Sequence, residues 1–448
     1  MRTTSLQVNI SNKQILQIAL PISMAMIVPQ INFITNNVFL GQLGESELGI
    51  AGITGVFYML VAVIGNGLNN GLQALISRRA GENRIEDIGK MFTQALWIAL
   101  AFAFVSMALT FIIAPFFLKA SLHSANVQQE AIGFLKIRVW GLPFLFLFQV
   151  GNAFLIGSNN GRLLKYGFFA EALINIVLDY ALIFGHWGFP KLGFDGAAVA
   201  SIIAEFAGVL IVFGLIFYKQ LYHQFSLFKF PKFNYPLSSL IFRQSSPLIL
   251  QWALSVVAWL TFYVLLEHYG ERDLAISNTM RNFFSFFGIF IWAFASTTNS
   301  MVSNIIGQGK RKRVIFLVNK IMLLSLSFTL VLCLLINVFP EFFLNLYGRD
   351  DSFVQEAIPV VRMVSIGVIG MCIASVWLNS VTGTGNTKVN LWIEIIAISS
   401  YFIYIYFIMV YWKLSLVWAW SAEIIYWMII FIASFVYIKS NRWISKIV

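Results

Sequence analysis

Few residues in this chain could carry chemistry, and most of those sit where a polar group is costly. Asp179, Glu205, Arg281, Glu394 and Glu423 are embedded in long apolar runs, with Glu171 nearer the end of its run. A charge in hydrocarbon costs at least about 2.5–3.5 kcal/mol, so each needs a role or a partner. Asn175 and Asp179 are four residues apart and share one helical face; Ser201 and Glu205 repeat that spacing in the next run. Two neighbouring helices that each present such a pair can enclose a proton or a small cation such as sodium. The alternative is that Asp179 only hydrogen-bonds to neighbouring helices. Asn66, Asn69, Asn70 and Gln73 follow helical 3–4 spacing and make a second polar face. Lipid cannot satisfy amides, so that face must look into a cavity or onto another helix. Gly65, Gly67 and Gly71 beside it permit close helix approach or bending.

Other chemistry is excluded by what accompanies these residues. Cys333 and Cys372 lie in apolar runs and read as core residues, and the four His, among them His123, form no cluster. No disulfide framework, metal-ligand set, Ser/His/Asp constellation or phosphate-binding G-x-x-x-x-G-K-[ST] loop is present. An ion or substrate gradient must therefore supply the energy for any transport, and no cofactor is expected.

The elements that position these groups follow from composition. The 448 residues are 59% hydrophobic and 11% charged, against about 25% charged in an ordinary soluble domain. The mean hydropathy is +0.80. A soluble enzyme, a nucleic-acid-binding module and a disordered scaffold are excluded as whole-chain readings. Twelve stretches reach the roughly 20 residues that a membrane helix needs. They run over about 14–40, 48–76, 91–118, 131–156, 163–186, 195–218, 240–266, 274–303, 314–340, 357–382, 389–411 and 414–438. With the N-terminus inside, twenty Lys and Arg fall on inner segments and five on outer loops. That bias predicts cytoplasmic termini and turns the formal charge of +11 into a topology signal, not a partner signal. The polar first thirteen residues lead straight into an apolar run, so no cleaved leader is expected.

The chain also repeats itself. At an offset of 226, Pro21 matches Pro247, Gly44 matches Gly270, Ser77 matches Ser303 and Gly81 matches Gly307. Only 11 of 61 positions agree over 21–81, so the loops carry the argument: Gly44-Glu-Ser-Glu-Leu48 against Gly270-Glu-Arg-Asp-Leu274. Gly157 and Asn160 then match Gly383 and Asn386 far downstream. Six spans separate the copies, so both insert with the same orientation, as parallel transporter repeats do. The predicted organisation is an all-α membrane protein of twelve helices in two six-helix lobes. Residues 1–218 form the first lobe, 219–239 a cytoplasmic linker carrying Pro231 and Pro236, and 240–448 the second lobe.

These residues resemble the multidrug and toxic compound extrusion (MATE) family over nearly the whole chain. The resemblance rests on Pro21, Val38-Phe-Leu-Gly-Gln-Leu-Gly44, Gly157–Arg162, Asn175-Ile-Val-Leu-Asp179, Gly193-Phe-Asp-Gly-Ala-Ala-Val-Ala-Ser201 and Gly383-Thr-Gly-Asn-Thr-Lys388. It implies antiport: an organic, often cationic, compound leaves while protons or sodium ions enter. In the branch whose ion site lies in the N-terminal lobe, the resemblance carries that site to Asn175, Asp179 and, in place of a Thr, Ser201. That branch has an Asp eight residues before Gly44, where this chain has Asn36. An amide hydrogen-bonds but does not titrate, and Glu205 is a candidate to restore the lost charge. The acidic positions of the other branch fall on Ser255 and Met371, so a C-terminal-lobe ion site is expected to be absent; Glu394 and Glu423 could substitute for it, with packing or cavity-lining roles favoured.

The expected protein is a multi-pass transporter of the plasma (inner) membrane, not an enzyme. It acts as a monomer on a small organic substrate, among membrane lipids and without nucleic acid. Asn66, Asn69, Asn70, Gln73, Arg281, Glu394 and Glu423 are the substrate-cavity candidates. Arg281 is expected to pair with a carboxylate or with backbone carbonyls. The aromatic crowd at Phe283–Trp292, with Trp252 and Trp259, is more simply packing than a cation site. The rival readings are a lipid-linked saccharide flippase of the same architecture, which would want a more basic cavity, and a membrane enzyme or assembly factor.

Overall fold

The computed structural model describes residues 6–121, 124–229, 232–345 and 350–444. Arg2, Arg349 and Lys446 of the charge bias, and His123 and Pro231, lie outside the described residues. Twelve helices among the described residues are long and apolar enough to cross a membrane. They are α1 Asn12–Leu43, α2 Gly49–Gly81, α3 Ile85–Lys119, α4 Ala125–Gly157, α5 Gly161–Phe184 and α6 Phe194–Tyr218. The second half supplies α7 Tyr235–Glu267, α8 Glu271–Gly307, α9 Arg311–Val338, α10 Asp351–Gly383, α11 Thr387–Tyr411 and α12 Leu416–Lys439. Helix is forced by the solvent: in lipid each backbone N–H and C=O must find its partner within the span. The 37-residue helix that ends at Gly307 is about 55 Å long, well beyond a hydrocarbon core of about 30 Å, so its ends project past it.

The internal repeat is written into backbone geometry as well as residue type. Asn83 turns the chain after α2 at φ 57°, and Gly309 does so after α8 at φ 76°. Asn159 turns it after α4 at φ 63°, and Gly385 after α10 at φ 84°. Each pair is separated by the same offset of 226. Left-handed backbone is open mainly to Gly and, less readily, to Asn, which explains why only these two residue types occupy the four turns.

The chain divides into two compact units: Leu6 with Met24–Ile249, and Gln7–Ser23 with the chain from Leu250 onward. The helices α1 and α7 therefore each belong to one unit in their first part and to the other in their second. The changes after Ser23 and after Ile249 fall at repeat-equivalent positions, two residues past Pro21 and Pro247.

In the first unit α2 meets the start of α7 through glycine. A Cβ on Gly67 would lie 2.6 Å from the backbone nitrogen of Ile249, and one on Gly71 would lie 2.9 Å from Ser245 Cα. Small residues at such a seam let two backbones approach where a larger side chain would hold them apart. The linker is not featureless: Leu221–Gln224 form a helical turn, Phe225 is fully buried, and its ring stacks edge-on against Phe154 at 5.3 Å. Gln94 of α3 fastens the linker's far end. Its Nε2 donates to the Lys232 carbonyl at 2.9 Å, and its Oε1 accepts from the Asn234 amide at 2.9 Å and the Ser238 hydroxyl at 3.1 Å.

The second unit packs around Phe262, Phe287, Val368, Met371 and Trp420. Its N-terminal strap is pinned at the end of α8: the Val8 amide donates to Asn304 Oδ1 at 3.1 Å, and Gln308 Nε2, just past the helix, donates to the Val8 carbonyl at 2.9 Å.

Candidate functional site

The polar residues of the first unit gather where α1, α5 and α6 meet. Asp179 is 0% exposed and Asn175, one turn earlier on α5, is 3% exposed. Asn175 Nδ2 reaches Ser201 Oγ of α6 at 3.4 Å. From α1 comes Asn36. With its amide oriented as its neighbours require, Nδ2 donates to Asp179 Oδ2 at 2.5 Å, and its second hydrogen has Asn175 Oδ1 and the Asn32 carbonyl within reach, each at 3.2 Å. One oxygen of the cluster, Asp179 Oδ1, is buried and has no hydrogen-bond partner. Unpaired buried polar atoms are rare, which singles out Asp179 among the described carboxylates of this unit.

The amide at position 36 fits this geometry, because a donor faces Asp179 where a second carboxylate would compete with it for charge. Asn36 instead donates to Asp179 and leaves one titratable group in the cluster.

Glu205 is not brought into this cluster. Its Oε1 lies 2.5 Å from Arg138 Nη2 and its Oε2 lies 2.9 Å from Arg138 Nη1, a two-pronged ion pair. The Tyr58 hydroxyl also donates to Oε1 at 3.2 Å, and the Arg138 guanidinium lies 3.9 Å from the centre of the Tyr58 ring. Gly141 closes the arrangement: a Cβ there would land on Glu205 Oε2 and Arg138 Nη1. The charge that Glu205 was to restore is thus offset locally by Arg138. Arg138 lies well inside α4, and its place in the sequence did not reveal that pairing.

The polar face of α2 meets α4. Gln149 Nε2 donates to Asn66 Oδ1 at 3.1 Å, while Asn69 Oδ1, Gln149 Oε1 and Asn152 Oδ1 are buried without a partner. Gln73 is fully buried and Asn70 half-buried. Gln149 and Asn152, three apart on α4, extend this face beyond the four residues that the sequence indicated.

In the second unit the candidates separate. The Arg281 guanidinium lies over the rings of Trp259 and Tyr263, 5.8 and 5.7 Å from their centres. No carboxylate among the described residues forms an ion pair with it, so aromatic faces take the place of the expected carboxylate. Glu423 accepts from Trp427 Nε1 at 2.9 Å, one turn away on α12. Glu394 is buried and takes three side-chain donors, Ser255, Gln251 and Tyr426. Of the aromatic crowd, Phe283 and Phe287 are core residues, whereas Phe286 is exposed.

Comparison with known proteins matches this architecture. A family model described as MatE matches residues 21–181 and again 247–410, and the two matches begin at the repeat-related Pro21 and Pro247. The chain is 25% identical over 421 residues to the "Probable multidrug resistance protein NorM" of Thermotoga maritima, covering 92% of this chain and 89% of that protein. It is 29% identical over 220 residues to the Synechocystis protein of the same name, 48% of this chain and 47% of that one. Among solved structures, an outward-facing multidrug resistance MATE family transporter of the MOP superfamily superposes with a TM-score of 0.91 at 17% identity over 100% of both chains. A mutant of the Vibrio cholerae MATE transporter VcmN does so with 0.88 at 19% identity, over 97% of this chain and 98% of that one. The duplicated twelve-helix fold, with polar clusters buried inside it, is that of a multi-pass membrane transporter, not an enzyme. The repeated match covers most of the sequence, and the chain belongs to the MatE family.

Proposed function

We propose that this transporter is a multidrug efflux antiporter, which carries organic, drug-like cations outward while protons or sodium ions move inward. It works in the plasma (inner) membrane with both termini cytoplasmic, as the twenty-to-five bias of basic residues suggests. The names of its NorM relatives support the cargo class. One observation carries the coupling: Asp179 is fully buried, is held on one oxygen by the Asn36 amide, and keeps a second oxygen without a partner.

A proton suits the unpartnered Asp179 oxygen better than sodium does. Hard cations take several oxygen ligands at once, and most oxygens of the cluster are already engaged, with Asn175 Oδ1 accepting from Asn36 and Ser201 Oγ from Asn175. A proton needs one oxygen. Taking it up removes the charge from Asp179 and alters the bonds that join α1, α5 and α6. Gaining or losing it would shift the balance between two packings of the first unit.

The test is flux of a fluorescent organic cation in proteoliposomes under separate pH and sodium gradients. The pH gradient is expected to drive transport in the wild type, and Asp179→Asn is expected to abolish it. Undiminished transport by that variant would overturn the assignment, and transport driven by sodium alone would replace the proton by sodium.

A further inference from the structure

The second unit contains a carboxylate that the transport reading does not use. Glu394 of α11 is 1% exposed, and its described partners are all neutral. Ser255 Oγ lies 2.6 Å from Oε1, the Tyr426 hydroxyl donates to the same oxygen, and Gln251 Nε2 lies 3.2 Å from Oε2. One turn earlier on α11 is Asn390, whose Nδ2 donates to Gln251 Oε1 at 2.9 Å and to Thr382 Oγ1 at 3.0 Å. The other end of that amide, Oδ1, is buried without a partner, and the residue is 2% exposed. The contrast with Glu205 is direct: there an Arg neutralises the carboxylate, and here no Lys or Arg among the described residues forms an ion pair with it.

We propose that Glu394, with Ser255, Gln251, Tyr426 and Asn390, forms a second proton-carrying site, separate from the Asp179 cluster. Ser255 is what allows both protonation states. Its hydroxyl lies 2.6 Å from Glu394 Oε1 and 3.0 Å from the Gln251 carbonyl, and it has one hydrogen to give. When Glu394 is ionised, Ser255 donates to the carboxylate. When Glu394 takes a proton from water, its own O–H donates to Ser255 Oγ and the serine hydrogen turns to the Gln251 carbonyl. Each hydrogen keeps an acceptor in both states, and no other bond is made or broken. A permanently neutral role would be met by an amide at this position without burying an ionisable group.

The other titratable groups nearby are few. Glu423, three residues before Tyr426 on α12, is engaged with Trp427, and the Tyr401 ring packs edge-on against Tyr426 at 5.9 Å. Glu394 is also no repeat copy of Asp179, because the two are 215 apart where the repeat offset is 226. Asp179 lies near the C-terminal end of α5, whereas Glu394 lies near the N-terminal end of the repeat-related α11. Two carboxylates at opposite ends of equivalent helices suit proton uptake and release as separate events. That role in transport rests on the antiport reading, but the proton site itself does not.

The experiment is difference infrared spectroscopy on the full-length protein as it is moved from alkaline to acid buffer, which reads the carbonyl bands of newly protonated carboxyl groups. Glu394→Gln is expected to remove a component that Asp179→Asn retains. Ser255→Ala is expected to keep that component but shift it to higher frequency, because the carboxyl has lost a hydrogen-bond partner. A Glu394→Gln spectrum superimposable on wild type would overturn the proposal, and so would a band that Ser255→Ala fails to move. Should Glu394→Gln not yield a folded protein, the Ser255→Ala shift decides. Loss of the Glu394 component with no change in Asp179→Asn would sink the Asp179 reading and leave this one standing.

Discussion

Arg138 and Glu205 are predicted to stand or fall together. Their two-pronged pair is mostly enclosed, with the side chains 13% and 8% exposed, the Tyr58 ring under the guanidinium and Gly141 leaving no space beside it. Removing one member of a buried pair strands the other's charge and typically costs 3–5 kcal/mol, whereas replacing both with apolar residues of similar size is often close to neutral. Glu205→Met and Arg138→Met alone should therefore each cost about 3–5 kcal/mol, and the double variant should cost far less than their sum. Unfolding of membrane proteins is commonly irreversible, so the readout is the half-life of monodisperse protein at a fixed raised temperature in detergent. The single variants should lose activity by unfolding, and the double variant should recover most of the wild-type half-life. Costs that add would refute the coupling drawn from the geometry. Proton-driven efflux in the double variant would further show that the charge of Glu205 is not a substitute for the missing Asp at position 36.

Three shorter predictions follow from packing and electrostatics. Gly67→Ala would drive a methyl group into the Ile249 backbone, so the α2–α7 seam must part, at a cost of about 1–3 kcal/mol read as a shortened thermal half-life. Gln94→Leu strands the Lys232 carbonyl and the Asn234 amide and should cost about 1–3 kcal/mol, with faster proteolysis of the linker as the check. Outside the spans, hydrogen bonds from Arg272 and then Ser352 hold the Asp350 carboxyl down at about 2. A depressed value in the folded state means that the stabilisation is present above the ordinary aspartate range and is lost as pH falls towards 2. The difference in melting temperature between wild type and Asp350→Asn should therefore be steady near neutral pH and shrink in acid; a difference that grows in acid would contradict the sign.

Much of this protein was legible in its residue order, for identifiable reasons. The bilayer forces apolar helices of a minimum length, so the twelve spans follow from counting. The duplication was legible from identical residues at a fixed offset, Pro21 with Pro247 and Gly44 with Gly270 among them, and the left-handed turns at Asn83 and Gly309 and at Asn159 and Gly385 repeat it in the backbone. Helical spacing alone puts Asn175 and Asp179 on one face. Periodicity within one helix does not say which helix faces it. Only the tertiary structure decided that Asn36 reaches Asp179, that Arg138 takes Glu205 away from that cluster, and that Ser255, at a position expected to mark a lost ion site, donates to Glu394 from a different helix. A hydrogen bond or an ion pair is made over about 3 Å between atoms far apart in the chain, and sequence spacing carries no measure of that distance.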